Sequence, residues 1–170
     1  VLHPTATDED LVRECAVAVK LDVASVCVKP YMVARASSLL AASDVAVGTV
    51  IGFPQGGNVT EIKAAEALLA CQQGAGELDM VINIAKALEE DWEYIAADIQ
   101  GVLNIALQQN AILKVIFETD YITSDAAKQT LCEICSKLGV GFVKTSTGFG
   151  YTKQASGDYN YQGATLGDIK

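Results

Sequence analysis

Three charged residues stand inside stretches that otherwise read as buried strands. Lys144 lies in GVGFVKTSTGFG (139–150), behind the apolar run 140–143 and ahead of Thr145, Ser146, Thr147 and Gly148. Lys114 lies in ILKVIFE and Asp79 in ELDMVI. A lysine in an apolar strand is desolvated, which lowers its pKa. A neutral amine is a nucleophile and forms a Schiff base with a carbonyl. A second lysine nearby would lower both pKa values further, because like charges disfavour the ionised form. If Asp79 neighbours Lys114, the two can pair and hold a proton shuttle in place. The plainer alternative for Lys144 is that it snorkels out of the strand end or pairs with a carboxylate. Strand alternation puts Phe142 and Ser146 on the face of Lys144, and Glu77 and Val81 on the face of Asp79. All three charged groups can then reach one interior space, which points to carbonyl chemistry.

Other motifs carry weaker signals. The turn STGFG offers backbone N–H groups and small side chains at a strand end, which suits an anion such as phosphate. Such turns are common, and a simple strand-to-helix connection explains it equally well. GFPQGG (52–57) reads as a tight strand exit with a structural role. His3 is the only histidine, and no cluster of ligating residues suggests a metal. The five cysteines, at 15, 27, 71, 132 and 135, are odd in number and suit reduced thiols in a cytoplasm. Cys132 and Cys135 form a CxxC inside a helical pattern with no partner histidine. Buried helix cysteines are the reading there, with a redox or metal pair as the alternative.

The rest of the chain must position these groups. Its 170 residues suit one domain, and 51% are hydrophobic with only 6% aromatic, so the core is aliphatic and alanine-rich. A net charge of -9 argues against nucleic acid or an anionic membrane as partner. No apolar run is long enough to span a bilayer. Residues 1–7 lack the basic and apolar regions of a secretory leader.

Helical and strand patterns alternate regularly. Helices are predicted over 7–22, 31–43, 59–74, 91–109 and 124–139, and strands over 24–28, 45–53, 77–84, 111–119 and 140–145. Another helix opens at 165–170. Strands apolar on both faces, alternating with helices, imply βαβ units and a parallel sheet. The sheet is either an open doubly wound one or a closed barrel. No GxGxxG follows the first strand and no P-loop occurs, which disfavours a nucleotide-binding open sheet. Polar residues recur instead at strand ends, at Cys27/Lys29, Asp79/Asn83, Lys114/Glu118 and Lys144/Ser146. Barrels build active sites from such convergence.

At these same residues the sequence resembles the deoxyribose-phosphate aldolase family. The resemblance runs in order through HPTATDEDL (3–11), ASVCVKPYMV (24–33), VGTVIGFPQGGNVTEIKAAEA (47–67), ELDMVINI (77–84), LKVIFET (113–119) and GFVKTSTGFG (141–150). It implies a class I, Schiff-base aldolase on a (β/α)8 TIM barrel, working without metal or organic cofactor. The implied reaction reversibly cleaves 2-deoxy-D-ribose 5-phosphate to D-glyceraldehyde 3-phosphate and acetaldehyde. By the same resemblance, Lys144 is the Schiff-base lysine, Asp79 the proton relay, and Lys114 the lysine that orders it. Cys27 would line the substrate pocket, with Thr147 and Gly148 at the substrate phosphate. A homodimer or homotetramer is implied as well.

The sequence also departs from that family. A closed eight-stranded barrel takes about 200 residues or more. The resemblance covers strands two to six, so residues 1–170 are expected to be a single barrel domain lacking its first strand and its last two. The missing strands would carry a second active-site lysine and most of the phosphate site. A polar insertion, YTKQASGDYNYQ (151–162), follows STGFG. It leaves the strand end where active-site loops grow and is expected to cover the pocket mouth, changing aldehyde preference or phosphate dependence. Two other functions fit less well: another Schiff-base aldolase or lyase, or a non-catalytic barrel piece that binds a sugar phosphate or a partner subunit.

Overall fold

Thr7 opens helix α1 (Asp8–Leu21) with a capping box. Its hydroxyl accepts from the Asp10 N–H, and the Asp10 carboxylate accepts from the Thr7 N–H at 2.7 Å. From there the computed structural model, which describes residues 1–169, follows the alternation of the sequence. Strands β1 (Ser25–Val28), β2 (Ala46–Ile51), β3 (Glu77–Val81), β4 (Ile112–Ile116) and β5 (Phe142–Lys144) form one sheet. Between them lie α2 (Val33–Leu40), α3 (Thr60–Gln72), α4 (Ile84–Leu88), α5 (Trp92–Gln108) and α6 (Asp125–Leu138).

The sheet order is β1-β2-β3-β4-β5 and every neighbouring pair is parallel. A doubly wound sheet reverses direction at a switch point. This one never does. Val28, Ile51, Leu78, Met80, Leu113 and Val115 merge with Leu11, Val33, Ile95, Ile99 and Leu131 of the helices into one buried cluster. Asp79 and Lys114 alternate with those positions and face away from the helices. Strands in sequence order, covered by helices on one face, are the wall of a (β/α)8 barrel. This chain is a partial barrel of five consecutive strands.

Several boundaries differ from expectation for local reasons. The predicted helix 31–43 begins as a 3₁₀ turn, Pro30–Met32, and becomes α-helical at Val33. Strand β3 stops at Val81 because Asn83 caps the unpredicted α4, accepting from the Lys86 N–H at 3.2 Å. Residues 151–162 carry a hairpin, β6 (Thr152–Lys153) and β7 (Tyr159–Asn160). The expected final helix is a 3₁₀ turn over Leu166–Ile169, and Lys170 lies outside the described residues. In the CxxC only Cys135 is buried, with burial pushing its thiol up to about 12; Cys132 is exposed. Among the described residues no helix is long and apolar enough to cross a membrane.

The GFPQGG loop closes tightly, the Gly56 N–H donating to the Gly52 carbonyl at 2.7 Å. Gly56 sits at φ +66°, and a Cβ there would overlap the Ile82 carbonyl. Gly56→Ala therefore combines left-handed strain with overpacking against backbone. We expect it to lower stability by about 3 kcal/mol, read as a reduced urea midpoint at unchanged slope.

Candidate active site

Parallel register decides which side chains meet. Asp79 of β3 lies opposite Lys114 of β4, and Val81 opposite Ile116. Lys114 in turn lies opposite Phe142 of β5, and Ile116 opposite Lys144. Lys144 thus stands one alternation further toward the strand ends than Lys114, and leans back over Asp79.

The Lys144 ammonium donates to Asp79 Oδ2 at 2.8 Å. The Asp79 side chain is only 4% exposed, whereas Lys144 is 39% exposed and reaches the opening. The expected convergence of three charged groups is therefore present, with one change of partner. Lys114 makes its short bond to Glu77 Oε2, at 2.6 Å, and approaches Asp79 Oδ1 only to 3.5 Å. Oδ1 of Asp79 is buried with no hydrogen-bond partner among the described residues. Two carboxylates and two ammonium groups thus form a charge-balanced quartet. Glu77 was legible as sharing the face of Asp79, but nothing in its spacing identified it as the partner of Lys114.

The electrostatics of Lys114 correct a second expectation. Burial pushes its pKa down, but the Glu77 hydrogen bond and the charges of Asp79 and Glu77 outweigh this and leave it raised. Lys114 is a held cation and not a free amine. Cys27 of β1 shares a lateral row with Gly48 and Glu77. Burial, reinforced by the charge of Asp79, raises its thiol to about 11, so it is an uncharged wall of the site.

The turn after β5 is built differently from the expected anion cradle. Glu118, buried and at φ +57°, faces it from the end of β4. The Ser146 hydroxyl donates to Glu118 Oε1 at 3.1 Å, and the Thr147 N–H and hydroxyl both donate to Oε2. The Gly148 N–H donates to Ser146 Oγ at 3.0 Å and the Phe149 N–H to Thr147 Oγ1 at 2.9 Å. The donors of Thr147 and Gly148 close on the turn itself, because a buried carboxylate must be satisfied from within. Glu118 was visible in the sequence only as a polar strand end.

Two further contacts shape the opening. Phe53, beyond β2, meets Phe149, beyond β5, edge to face at 5.5 Å. The two strands flank β3 and β4, so the rings join strand exits across the mouth above the quartet. A cavity of about 280 Å³ lies beside them, lined in part by Lys29, Val50, Phe53 and Phe149, with Val50 lateral to Asp79. The inserted hairpin is anchored at the exit of β4. Asp120 accepts from the Gln162 N–H at 2.7 Å and the Gly163 N–H at 3.1 Å, while the Tyr121 hydroxyl donates to the Tyr151 carbonyl at 2.9 Å.

Chemically, the site offers one amine at the opening, a buried carboxylate in contact with it, and a fixed cation behind. That set can form and hydrolyse an imine with local proton transfer. Among the described residues no group of three His, Cys, Asp or Glu side chains is arranged to hold a metal.

A family model described as DeoC/LacD family aldolase matches residues 2–165. Deoxyribose-phosphate aldolase of Thermococcus kodakarensis is 46% identical over 151 residues, covering 88% of this chain and 67% of its own. A Coccidioides immitis protein assigned as a deoxyribose-phosphate aldolase superposes with a TM-score of 0.89 at 37% identity, over 99% of this chain and 62% of that one. A tetrameric deoxyribose phosphate aldolase from Aeropyrum pernix gives 0.80 at 31% identity, over 90% and 63%. The chain thus spans about two thirds of the length of these relatives.

Proposed function

Since this chain belongs to the DeoC/LacD family of aldolases, we propose that it reversibly cleaves 2-deoxy-D-ribose 5-phosphate to D-glyceraldehyde 3-phosphate and acetaldehyde. The observation that carries the reading is the 2.8 Å contact between Lys144 at the opening and the buried Asp79. In the proposed cycle the Lys144 amine attacks the aldehyde carbon. Asp79 takes the proton that the Lys144 ammonium gives up and returns it to the carbinolamine hydroxyl, which leaves as water, and an iminium results. A base then takes the proton of the C3 hydroxyl, and the C2–C3 electron pair moves into the iminium to give an enamine. Glyceraldehyde phosphate leaves, C2 is protonated, and hydrolysis returns acetaldehyde and the free lysine. Lys114, held by Glu77, lies 3.5 Å from Asp79 Oδ1 and orients that side chain. Cys27 forms a neutral wall, and Thr147 and Gly148 border the substrate with their donors directed inward. The reaction itself is tested by acetaldehyde release from 2-deoxyribose 5-phosphate. Release at a rate proportional to protein is expected; none from a sample with native circular dichroism would overturn the reading.

We also propose that the hairpin borders the substrate. Its base supports this: a Cβ at Gly163 would lie 4.0 Å from Ser146 Oγ, beside the turn that follows Lys144. Replacing 151–162 by a short glycine linker is expected to change KM for phosphorylated relative to non-phosphorylated substrates at least about threefold. Unchanged ratios would count against it. The substrates are small sugar phosphates and aldehydes, and neither nucleic acid nor membrane has a role. The Aeropyrum pernix relative supports a homo-oligomer, dimer or tetramer, and five unpaired cysteines support a reducing cytoplasm.

A further inference from the structure

A second buried ion pair lies outside the quartet. Lys63 of α3 and Asp98 of α5 meet at 2.6 Å with side chains 0% and 1% exposed. Thr60 donates its hydroxyl to the other Asp98 oxygen at 2.8 Å. A buried ion pair is poor evidence of stabilisation, because desolvation offsets its attraction. The direction of Lys63 gives it another use. Beyond Asp98, its ammonium donates to the Val81 carbonyl at 3.1 Å, two residues after Asp79 on β3.

The path of the side chain explains part of the GFPQGG motif. The Lys63 stem crosses the exit of β2 over Gly52, where a Cβ would lie 2.8 Å from Lys63 Cε. The Gly52 N–H donates to Glu66, one turn along α3, at 2.8 Å. From the other side, Gly56 presses on the carbonyls of Val81 and Ile82. One helix therefore grips the exits of two adjacent strands, just beyond Asp79 and at the root of the loop that carries Phe53.

We propose that Lys63 is a positioning residue for the reaction, its ammonium fixed by Asp98 so that the exit of β3 holds Asp79 within reach of Lys144. The proposal rests on the aldolase reading for its kinetic consequence, but its geometric content does not. Burial pushes the pKa of Lys63 down, and the hydrogen bond and charge of Asp98 oppose that push.

The test compares Lys63→Met with the double variant Lys63→Met/Asp98→Leu. Exchanging both charges for apolar groups often restores stability, but it leaves the Val81 carbonyl without its donor. Both variants are expected to show kcat reduced about 10- to 100-fold, as for a small misplacement of reacting groups, with KM changed less than about threefold. Competitive reductive methylation with formaldehyde and borohydride, read by peptide mass, reports on Lys144 without turnover. Lys144 should label faster relative to the exposed Lys20 in both variants, because Asp79 no longer engages it. A double variant with parental melting temperature, kcat and Lys144 labelling would overturn the proposal. If the parent shows no turnover but labelling still shifts, the aldolase reading fails while the positioning role stands.

Discussion

Lys144→Met is expected to abolish turnover, lowering kcat by about 10⁴-fold or more, the scale on which an enzyme loses its nucleophile. Methionine keeps the length and much of the apolar contact of the stem, so the fold should survive. Lys144 is 39% exposed and bonded to Asp79 alone among the described residues, so its removal costs little packing. Acetaldehyde release and thermal unfolding, measured on the same sample, separate the two effects. Substantial activity in a folded Lys144→Met protein would move the imine to another amine, Lys114 being the nearest candidate. The raised pKa of Lys114 speaks against that, because a more firmly held proton makes a poorer nucleophile.

Asp79→Asn should produce the second largest effect. The amide is nearly isosteric but takes no proton from Lys144 and gives none to a carbinolamine. Removing a general acid–base group costs about 10²- to 10⁴-fold, so kcat should fall by that range with KM altered far less. Imine formation should slow without being abolished, since Lys144 remains. The stability cost should be below the roughly 3–5 kcal/mol of breaking a fully buried pair. Lys114 keeps Glu77, and Lys144 turns toward solvent. A drop in KM and kcat together, with parental imine formation, would instead assign Asp79 to substrate release.

How much of this was legible beforehand follows from the range of each interaction. The (βα) alternation was written in local hydrophobic patterning. The inward set of Asp79, Lys114 and Lys144 could be read because charged residues interrupt apolar strands. Who pairs with whom could not. Whether Lys114 bonds Glu77 or Asp79 depends on the stagger of β3 against β4 and on the reach of a flexible stem. That pairing is why its pKa rises, where two facing lysines alone would have lowered it. The internal bonding of the turn at Thr147 and Gly148 was hidden for a similar reason: the Thr147 donors point at Glu118, a residue 29 positions away in the chain. Lys63 was hidden most completely, because a lysine on a helix reads as a surface residue. Only the side-chain-free path over Gly52 brings it to Val81.

The central claim, that Lys144 forms the imine, is tested most directly by borohydride reduction in the presence of acetaldehyde, followed by peptide mass spectrometry. The account predicts a single stable ethyl adduct on Lys144, lost in Lys144→Met and formed more slowly in Asp79→Asn. A folded protein that gains no adduct under these conditions, or gains it on Lys114 with Lys144 unmodified, would contradict it.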